Sequence, residues 1–306
     1  MRLNGQHIIS DELRGAIIAL GNFDGFHKGH QAVAQAAIDW AKSENRPVII
    51  ATFDPHPVRH FKPDTPPFRL TTLDQRERLF TAAGAHAMLV FEFDAQLAAT
   101  TAEDFVEKLL VERFGAAGIV TGEDFTFGKG RAGNVAVIKE LGAPLGLATK
   151  AVKPVNDGGE VISSSRIRDA LKAGDPETAA ALLTRPFAIE GSVIHGDKNG
   201  RKLGFPTANI DMGHYLRPQY GIYAVKGHLP DGRVVNGAAN LGIRPSFDPP
   251  KELLEPHFFD LSEDLYGKVV EVELHHFLRG EQKFDDMEAL IAQMDKDCER
   301  ARSLLS

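Results

Sequence analysis

The pattern of apolar and polar positions changes once along this chain, near residue 184. Up to that point, short continuous apolar runs such as GAIIALG, PVIIATF, HAMLVFEF and AAGIVTG are separated by amphipathic stretches. Continuous apolar runs are typical of strands buried on both faces, and the amphipathic stretches between them predict helices. Residues 1–184 are therefore predicted to form an α/β domain with a parallel sheet covered by helices.

The second part, residues 185–306, has short alternating runs punctuated by turn signals such as PDGR and RPSFDPP. This pattern predicts a small antiparallel β-barrel. Near the end of the chain, apolar side chains recur at intervals of three and four residues and predict an amphipathic helix that packs on the barrel. The side chains that define this face are Met287, Leu290, Ile291, Met294 and Cys298.

Composition narrows the class of protein. The chain has 306 residues, of which 43% are hydrophobic and 25% charged, as in globular proteins of two domains. No run approaches the roughly 20 apolar residues that span a bilayer, the first residues lack the apolar core of a secretory signal, and one cysteine cannot form an internal disulfide. We therefore expect a cytoplasmic protein without a membrane partner, a monomer or a weak homo-oligomer.

Charge argues against nucleic acid as a partner. The formal net charge is −7, and the lysines and arginines are scattered along the chain. Binding to a phosphate backbone needs a concentrated basic surface. The partners to consider are therefore small anionic ligands held in local pockets.

The stretch GNFDGFHKGH, residues 21–30, lies between the apolar run GAIIAL and an amphipathic helix. Gly21 and Gly25 permit a tight turn, and a helix N-terminus binds anions through its free N–H groups and partial positive charge. His27 and His30 share one face of the first helical turn, and Gly29 leaves room for a bulky ligand against the backbone. The pattern predicts a phosphate site in which two imidazoles stabilise charge in a transition state.

The histidine pair also has two other interpretations. A His-x-x-His pair can be ordinary helix surface, or it can supply two ligands of a metal site. A tetrahedral metal site needs three or four ligands, and no carboxylate or cysteine accompanies His27 and His30, or His56 and His60, at ligand spacing. The strand, turn and helix around the pair favour the phosphate interpretation.

Three stretches of the first domain resemble one family. GNFDGFHKGH resembles the H-x-G-H signature of the nucleotidylyltransferase superfamily, and its GNFDG portion resembles the adenylyltransferase half of bacterial bifunctional riboflavin kinase/FAD synthetases. TGEDFTFGKG, residues 121–130, resembles the flavin and nucleotide loop of that family. ISSSRIR, residues 162–168, resembles its second phosphate motif, in which Ser165 replaces a frequent threonine. There the serines begin a helix, and Arg166 or Arg168 would supply a bidentate cation.

This resemblance implies a Rossmann-like nucleotidylyltransferase domain that joins FMN to the AMP part of ATP. His27, His30 and Arg168 would stabilise the pentavalent phosphate and the leaving group together with Ser164. Asp124 would contact the adenine or flavin side of the pocket, where family members often carry asparagine. The remaining residues that the resemblance assigns to ATP and its phosphates are Gly21, Asn22, Phe23, Gly25, Gly29, Ser163 and Ser165.

In the second domain, GDKNGRKLGFPTANI, residues 196–210, carries the candidate chemistry. Thr207 and Asn209 place a hydroxyl and an amide oxygen two residues apart, on one face of an extended segment. Hard oxygen ligands of this kind suit Mg²⁺, which keeps several water and phosphate ligands. From spacing alone, a polar turn closed by Pro206 is an equal alternative.

The stretch GRKLGFPTAN resembles the signature of the riboflavin kinase fold, and YGIYAV, NLGIRPSF, LLEPHFFDLSEDLYGK and FLRGEQKF follow in that family's order. The resemblance implies that Thr207 and Asn209 bind Mg-ATP and that Glu255 is the base for the ribityl 5′-hydroxyl. Pro256 stands where the family has a β-branched residue. From the residues alone, Glu255 is not distinguished from Glu252, Glu263 and Glu271. The resemblance also assigns to ATP or flavin Gly196, Gly204, Phe205, Pro206 and Arg279.

The sequence therefore predicts a magnesium-dependent transferase that phosphorylates riboflavin to FMN with ATP and then adenylylates FMN to FAD, releasing pyrophosphate. Two alternatives stay open. One is a single-activity nucleotidylyltransferase, acting on pantetheine phosphate or a polyol phosphate and fused to an unrelated barrel. The other is a non-catalytic flavin-binding protein that keeps the fold, although the presence of His27, His30, Thr207, Asn209 and Glu255 argues against it. An aminoacyl-tRNA synthetase, which also uses a His-x-Gly-His helix, is disfavoured because no basic RNA-binding region is present.

Overall fold

The computed structural model describes residues 1–5, 9–196, 203–244 and 251–306. The chain forms two compact units. The first consists of Met1–Pro66 and Leu73–Ser163, and the second of Pro67–Thr72 and Ser164–Ser306. By compactness, residues 164–184 thus group with the second unit, whereas the functional division after residue 184 stays a prediction.

The first unit is built on a parallel sheet that has six strands in the described residues, in the order β1-β4-β3-β2-β5-β8. Short apolar runs form its centre because their β-branched side chains pack on both faces. Two small antiparallel ribbons, β6-β7 and β9-β10, extend from the unit. The strands of this unit are β1 Arg2–Asn4, β2 Ile17–Leu20, β3 Val48–Asp54, β4 Ala87–Glu92, β5 Gly118–Gly122, β6 Thr126–Phe127, β7 Gly133–Asn134, β8 Ala148–Val152, β9 Asn156–Asp157 and β10 Glu160–Val161.

Helices cover both faces of this sheet. Side chains of each central strand alternate between two apolar clusters: Ile18 and Leu20 enter one cluster, and Ile17 and Ala19 enter the other. The predicted parallel sheet with two covered faces is confirmed. The helices are α1 Lys28–Ser43, α2 Pro57–Phe61, α3 Leu73–Ala83, α4 Ala95–Ala99, α5 Ala102–Asp104, which continues as a π-helix over Phe105–Arg113, and α6 Val135–Gly142.

The second unit contains a closed antiparallel barrel in the order β11-β12-β15-β14-β13-β16. Its interior is filled by side chains with no solvent exposure, among them Tyr223, Val225, Leu241 and Leu274. The barrel confirms the prediction from the alternating runs. Its strands are β11 Phe187–Ile194, β12 Asn209–Asp211, β13 Gly221–His228, β14 Val234–Arg244, β15 Lys251–Phe258 and β16 Val269–Gly280.

Among the described residues of the second unit, three helices accompany the barrel: α7 Ser164–Lys172, α8 Pro176–Leu183 and α9 Met287–Leu305. The last helix packs on the barrel, as predicted, with Cys298, Ala301 and Leu305 in an apolar cluster that includes Leu278. Met287, the first residue of the predicted apolar face, is 55% exposed and therefore does not pack closely on the barrel. The C-terminal half of the helix therefore provides most of its apolar contact with the barrel.

The segment Pro67–Thr72 interrupts the first unit and belongs to the second. Arg69 pairs with Tyr215 in a parallel bridge, its N–H donates to the His214 carbonyl at 3.1 Å, and its carbonyl accepts from the N–H of Leu216 at 2.8 Å. The N–H of Gln219 likewise donates to a carbonyl of α7, that of Leu171, at 2.9 Å. The barrel unit is therefore assembled from two separate parts of the chain.

Candidate active sites

The turn between β2 and α1 has an unusual backbone. Gly25 lies in the left-handed region with φ 86°, and so do two phenylalanines, Phe23 with φ 50° and Phe26 with φ 44°. A non-glycine residue there costs on the order of 1–3 kcal/mol. Both rings are almost completely buried, and each packs edge-on against Phe80, with centroids 5.7 and 5.0 Å apart. Burial of these rings stabilises the strained turn that precedes the histidine pair.

His27 and His30 are brought together as the sequence predicts. Helix α1 begins at Lys28 with His27 as its N-cap, and His27 Nδ1 accepts from the N–H of His30 at 3.3 Å. The two imidazoles stack with centroids 3.6 Å apart and an angle of 18° between their planes. Because Nδ1 of His27 is an acceptor, its Nε2 carries the proton of the neutral ring.

Two glycines of this turn leave room for the aromatic rings beside them. A Cβ on Gly21 would lie 3.2 Å from the ring of Phe23. A Cβ on Gly29 would lie 3.2 Å from the ring of His27 and 3.5 Å from the carbonyl oxygen of Ile162. A side chain at position 29 would thus crowd the His27 imidazole, and the predicted room for a ligand against this backbone stays a prediction. Ile162, the first residue of ISSSRIR, is a neighbour of this helix start.

Other candidate groups follow neighbouring strands at the same edge of the sheet. Asp54 ends β3, and Asp124 comes two residues after β5, where its carboxylate folds back to 2.9 Å from an ideal Cβ on Gly122. Asp124 is exposed. In parallel sheets, ligands bind outside the carboxyl ends of the strands, where Asn22 also lies. Within the described part of the chain, no group of three histidine, cysteine or carboxylate side chains could hold a metal ion.

In the barrel, the PTAN stretch, residues 206–209, leads into β12, and β12 pairs with β15, the strand that carries Glu255. The N–H of Ala208 donates to the carbonyl of Pro256 at 2.9 Å, and His257 Nδ1 lies 2.8 Å from the carbonyl oxygen of Pro206. Strand β15 is continuous through Pro256 because the carbonyl of this residue still takes part in pairing with the PTAN segment. The backbone therefore holds Thr207 and Asn209 beside the strand that carries the predicted base.

Glu255 itself pairs with Asn240 across β14 and β15, and Asn240 Nδ2 donates to its carboxylate at 3.3 Å. Asn209 is buried, with 6% exposure, and a Cβ on Gly196 would lie only 2.6 Å from its amide nitrogen. Gly196 is thus required as glycine because its backbone lies against the Asn209 amide. Parts of two stretches used for the resemblance, residues 197–202 and 245–247, lie outside the described residues.

Comparisons with known proteins agree with the family resemblance predicted for each of the two parts of the chain. The sequence model of FAD synthetase matches residues 9–166, and that of riboflavin kinase matches residues 183–305. The bifunctional riboflavin kinase/FMN adenylyltransferase of Escherichia coli strain K12 is 36% identical over 96% of this chain and 95% of its own length. That of Bacillus subtilis strain 168 is 35% identical over 96% of this chain and 94% of its own length.

This chain belongs to the bifunctional riboflavin kinase/FMN adenylyltransferase family. A solved structure described as a macrolide-efflux protein from Streptococcus pneumoniae is similar over 98% of both chains, with a TM-score of 0.88 and 29% identity. None of the described helices of this family member is long and apolar enough to cross a membrane.

The second phosphate motif of the adenylyltransferase family falls where the two compact units meet in sequence. Ser163 ends a segment of the first unit, and Ser164 begins α7 in the second, followed by Ser165 and Arg166. Arg168 Nε donates to the carbonyl of Phe68 at 2.8 Å, and its guanidinium lies 5.2 Å from the ring of the same residue. The ligand roles of these residues stay predictions.

In the kinase barrel, Arg279 has a partner that its sequence did not reveal. Its Nε and Nη2 donate to the carboxylate of Asp297, with the shortest contact 2.7 Å, and Gln293 donates to the same carboxylate at 3.0 Å. Asp297 is almost completely buried in α9. The C-terminal helix therefore positions Arg279, whose predicted contact with ATP or flavin is untested.

A second carboxylate of the kinase barrel, Glu252, belongs to a local ionic cluster. It accepts from Tyr220 and, at 2.7 Å, from Arg217. Burial disfavours its charged form, but these two hydrogen bonds and the charge of Arg217 outweigh burial and lower the pKa of Glu252. Burial and the hydrogen bond to Glu252 raise the pKa of Tyr220 to about 12. Glu252 is thus held by Tyr220 and Arg217.

Sequence reasoning missed an aromatic cluster in the adenylyltransferase unit. Phe61 is 66% exposed at the end of α2, and its ring packs edge-on against His60 and Phe93, with centroids 5.1 and 5.8 Å away. Phe93 contacts Phe53 of β3 in the same way. The sequence hints at this cluster only through RHFKP, residues 59–63, in which a phenylalanine stands between basic residues. We name Phe53, His60, Phe61 and Phe93 the aromatic platform.

Proposed function

We propose that this chain catalyses two successive reactions, one in each unit. The barrel unit transfers the γ-phosphoryl group of ATP to riboflavin, giving FMN and ADP. The first unit joins the AMP part of a second ATP to FMN, giving FAD and pyrophosphate. The observation that carries the proposal is that two different family models match successive parts of the chain, the first containing the parallel sheet and the second the barrel.

In the kinase reaction, Glu255 accepts the proton of the ribityl 5′-hydroxyl as its oxygen attacks the γ-phosphorus. The hydrogen bond from Asn240 Nδ2 holds one carboxylate oxygen and orients the other towards the alcohol. Thr207 and Asn209 fit a Mg²⁺ ion because both offer hard oxygen atoms, and the Gly196 backbone fixes the Asn209 amide. When bound, this ion neutralises the charge of the phosphates.

In the adenylyltransferase reaction, a phosphate oxygen of FMN attacks the α-phosphorus of ATP, and pyrophosphate leaves. No protein nucleophile is required, so the task of the site is positioning and charge stabilisation. His27 Nε2 and the imidazole of His30 donate to the phosphate oxygens at the N-terminus of α1, where the helix dipole adds positive potential. Asp124 contacts the adenine or flavin side, and the leaving-group roles that the family resemblance implies for Ser164 and Arg168 stay predictions.

The aromatic platform is a suitable place for the isoalloxazine ring of FMN. Phe61 exposes an apolar face at the edge of the sheet where we place the phosphate groups. Phe93, the residue after β4, supports Phe61 and is itself packed against Phe53 of β3. Aromatic rings bind planar ligands by offset stacking and by burial of apolar area. This arrangement would orient the flavin while its phosphate reaches the histidine pair.

The direct experiment incubates the purified chain with riboflavin, Mg²⁺ and ATP, and follows FMN and FAD by chromatography. Formation of FMN followed by FAD is expected. FAD formation from added FMN without any FMN formation from riboflavin would favour a single-activity nucleotidylyltransferase. Absence of both products, with flavin binding retained, would overturn the proposal in favour of a non-catalytic flavin-binding protein.

A further inference from the structure

A buried arginine lies beneath the turn that carries the histidine pair. Arg76 is in α3 and only 2% exposed. Its Nη1 donates to Thr52 Oγ1 at 2.8 Å and to the carbonyl oxygen of Asn22 at 3.3 Å, and Thr52 Oγ1 donates to the same carbonyl at 2.7 Å. Its Nη2 lies 4.0 Å from the carboxylate of Asp54. One guanidinium thus connects the ends of β2 and β3.

Stability alone gives little reason for an arginine at this position. Removing a guanidinium from water is costly, and replacing a buried ionic group with apolar side chains of similar volume is often neutral or stabilising. An apolar core that includes Phe23, Phe26 and Phe80 is present in the same unit, and Phe80 follows Arg76 by one helical turn in α3. The arginine and the threonine, which has no solvent exposure, therefore point to a task at the site.

Both donors converge on a single peptide group, that of Asn22. The side-chain oxygen of this residue is buried and has no hydrogen-bond partner in the parts of the chain that the structure describes. Its backbone oxygen is thus doubly held, while its side-chain oxygen is left for an N–H or O–H group of a ligand. The next residue, Phe23, begins the left-handed turn that leads to His27.

We propose that Arg76 and Thr52 are positioning residues for adenylyl transfer. They fix the Asn22 peptide, and through it they orient the Asn22 amide towards a hydroxyl or amino group of the nucleotide and set the start of α1 against its phosphates. This inference rests on the proposed adenylyltransferase activity of the first unit. Neither residue touches the reacting atoms, so each acts only through the geometry of the turn.

The test compares Thr52→Val, which keeps the side-chain shape, with Thr52→Ser, which keeps the hydroxyl. We expect Thr52→Val to lower kcat for FAD formation about 10-fold and Arg76→Met about 100-fold, because small misplacements of reacting groups have effects of this size. The KM for FMN should stay within about twofold, since flavin binding does not depend on Asn22. Thr52→Ser should restore kcat, and Arg76→Lys should restore part of it.

Thr149→Val is a matched control. Thr149 lies in β8 of the same sheet, and its buried hydroxyl has no hydrogen-bond partner among the described residues, so this variant should keep FAD formation. Conversion of riboflavin to FMN by the barrel should be unchanged in every variant. Equal FAD formation by Thr52→Val and the unmodified chain, or equal losses in Thr52→Val and Thr149→Val, would overturn the inference.

A second measurement is independent of activity. Hydrogen–deuterium exchange of the peptide that covers residues 20–31 should be faster in Thr52→Val and Arg76→Met than in Thr52→Ser, Thr149→Val and the unmodified chain. Unchanged exchange would contradict the positioning role even if activity fell. Failure of the unmodified chain to convert FMN to FAD would instead overturn the proposed function, and the exchange result would still decide whether Arg76 and Thr52 hold the turn.

Discussion

The two units place their candidate groups on different parts of their folds. In the parallel-sheet unit, Asn22, Asp54 and Asp124 lie at or just after the ends of strands, and loops and a helix start complete the site. In the barrel, Glu255 and Asn209 lie within neighbouring strands, and ladder hydrogen bonds connect them. A loop site can change without disturbing its sheet, whereas a strand site shares its backbone with the core. We therefore expect substitutions in the two units to separate the two reactions.

The largest expected effect is on the strand site. Glu255→Gln should lower FMN formation about 10³-fold, since a general base contributes 10²- to 10⁴-fold. FAD formation from added FMN should be unchanged. Chromatography of both products from each starting flavin measures this separation. Glu263→Gln, which alters an exposed carboxylate paired with Arg233 and Lys268, is the matched control and should leave both reactions intact. Loss of both reactions in a folded Glu255→Gln protein would contradict the division of labour.

The reciprocal change is on the loop site. His27→Ala should lower FAD formation from FMN about 10²-fold, because one donor to a developing negative charge contributes 10²- to 10³-fold. FMN formation from riboflavin in the same sample is the control for folding and concentration. Combining it with His30→Ala should add less than the product of the two single effects, because the rings are stacked and act on one phosphate. Fully multiplicative effects would show that the histidines work independently.

A smaller effect is expected from crowding at the predicted metal ligand. Gly196→Ala places a Cβ within 2.6 Å of the Asn209 amide nitrogen and must displace that side chain. Overpacking typically costs 1–3 kcal/mol, so the Mg²⁺ concentration for half-maximal FMN formation should rise about 10-fold. Gly280→Ala meets no atom within 4 Å and should have no effect. An unchanged Mg²⁺ requirement in Gly196→Ala would remove the support for Asn209 as a metal ligand.

The smallest effect concerns stability of the barrel and its dependence on pH. The pKa of Glu252 is lowered in the folded chain, so its contribution is fully present above the ordinary value of 4.5 and is lost as pH falls through the folded pKa. Because the carboxylate is partly exposed, Tyr220→Phe should cost only about 1 kcal/mol in urea unfolding at pH 7. This difference should shrink in acid and vanish in a Glu252→Ala background, which removes the acceptor oxygens. A difference that persists in that background would assign the effect to Tyr220 alone.

Periodicity predicted the two architectures because each reflects how apolar side chains are buried. The continuous runs of β2 and β3 fill both faces of a sheet, and the alternating runs fill a barrel. The spacing also predicted that His27 and His30 would share one face of the first helical turn, and the structure brings their rings together. Local order was sufficient for the histidine pair because its two residues are close in sequence.

Contacts between distant side chains could not be predicted in this way. Arg76 lies in the polar stretch DQRER, where nothing distinguishes a buried guanidinium from one on the helix surface. The pairing of Arg279 with Asp297 depends on how α9 docks, and Met287 is exposed although it fits the apolar spacing. Sequence also cannot show that the ring of His27 lies against Gly29.

Because the second unit is built from two separate parts of the chain, the two activities of this protein are not easily separated by inheritance or by engineering. A fragment that begins at residue 185 would lack α7, α8 and the segment Pro67–Thr72, and Tyr215 and Gln219 would lose their backbone partners there. No single cut in the gene therefore yields an intact barrel unit. If recombination exchanged the kinase part between relatives, the 67–72 segment would still come from the other parent. Such an exchange would be selected against unless this segment were exchanged as well.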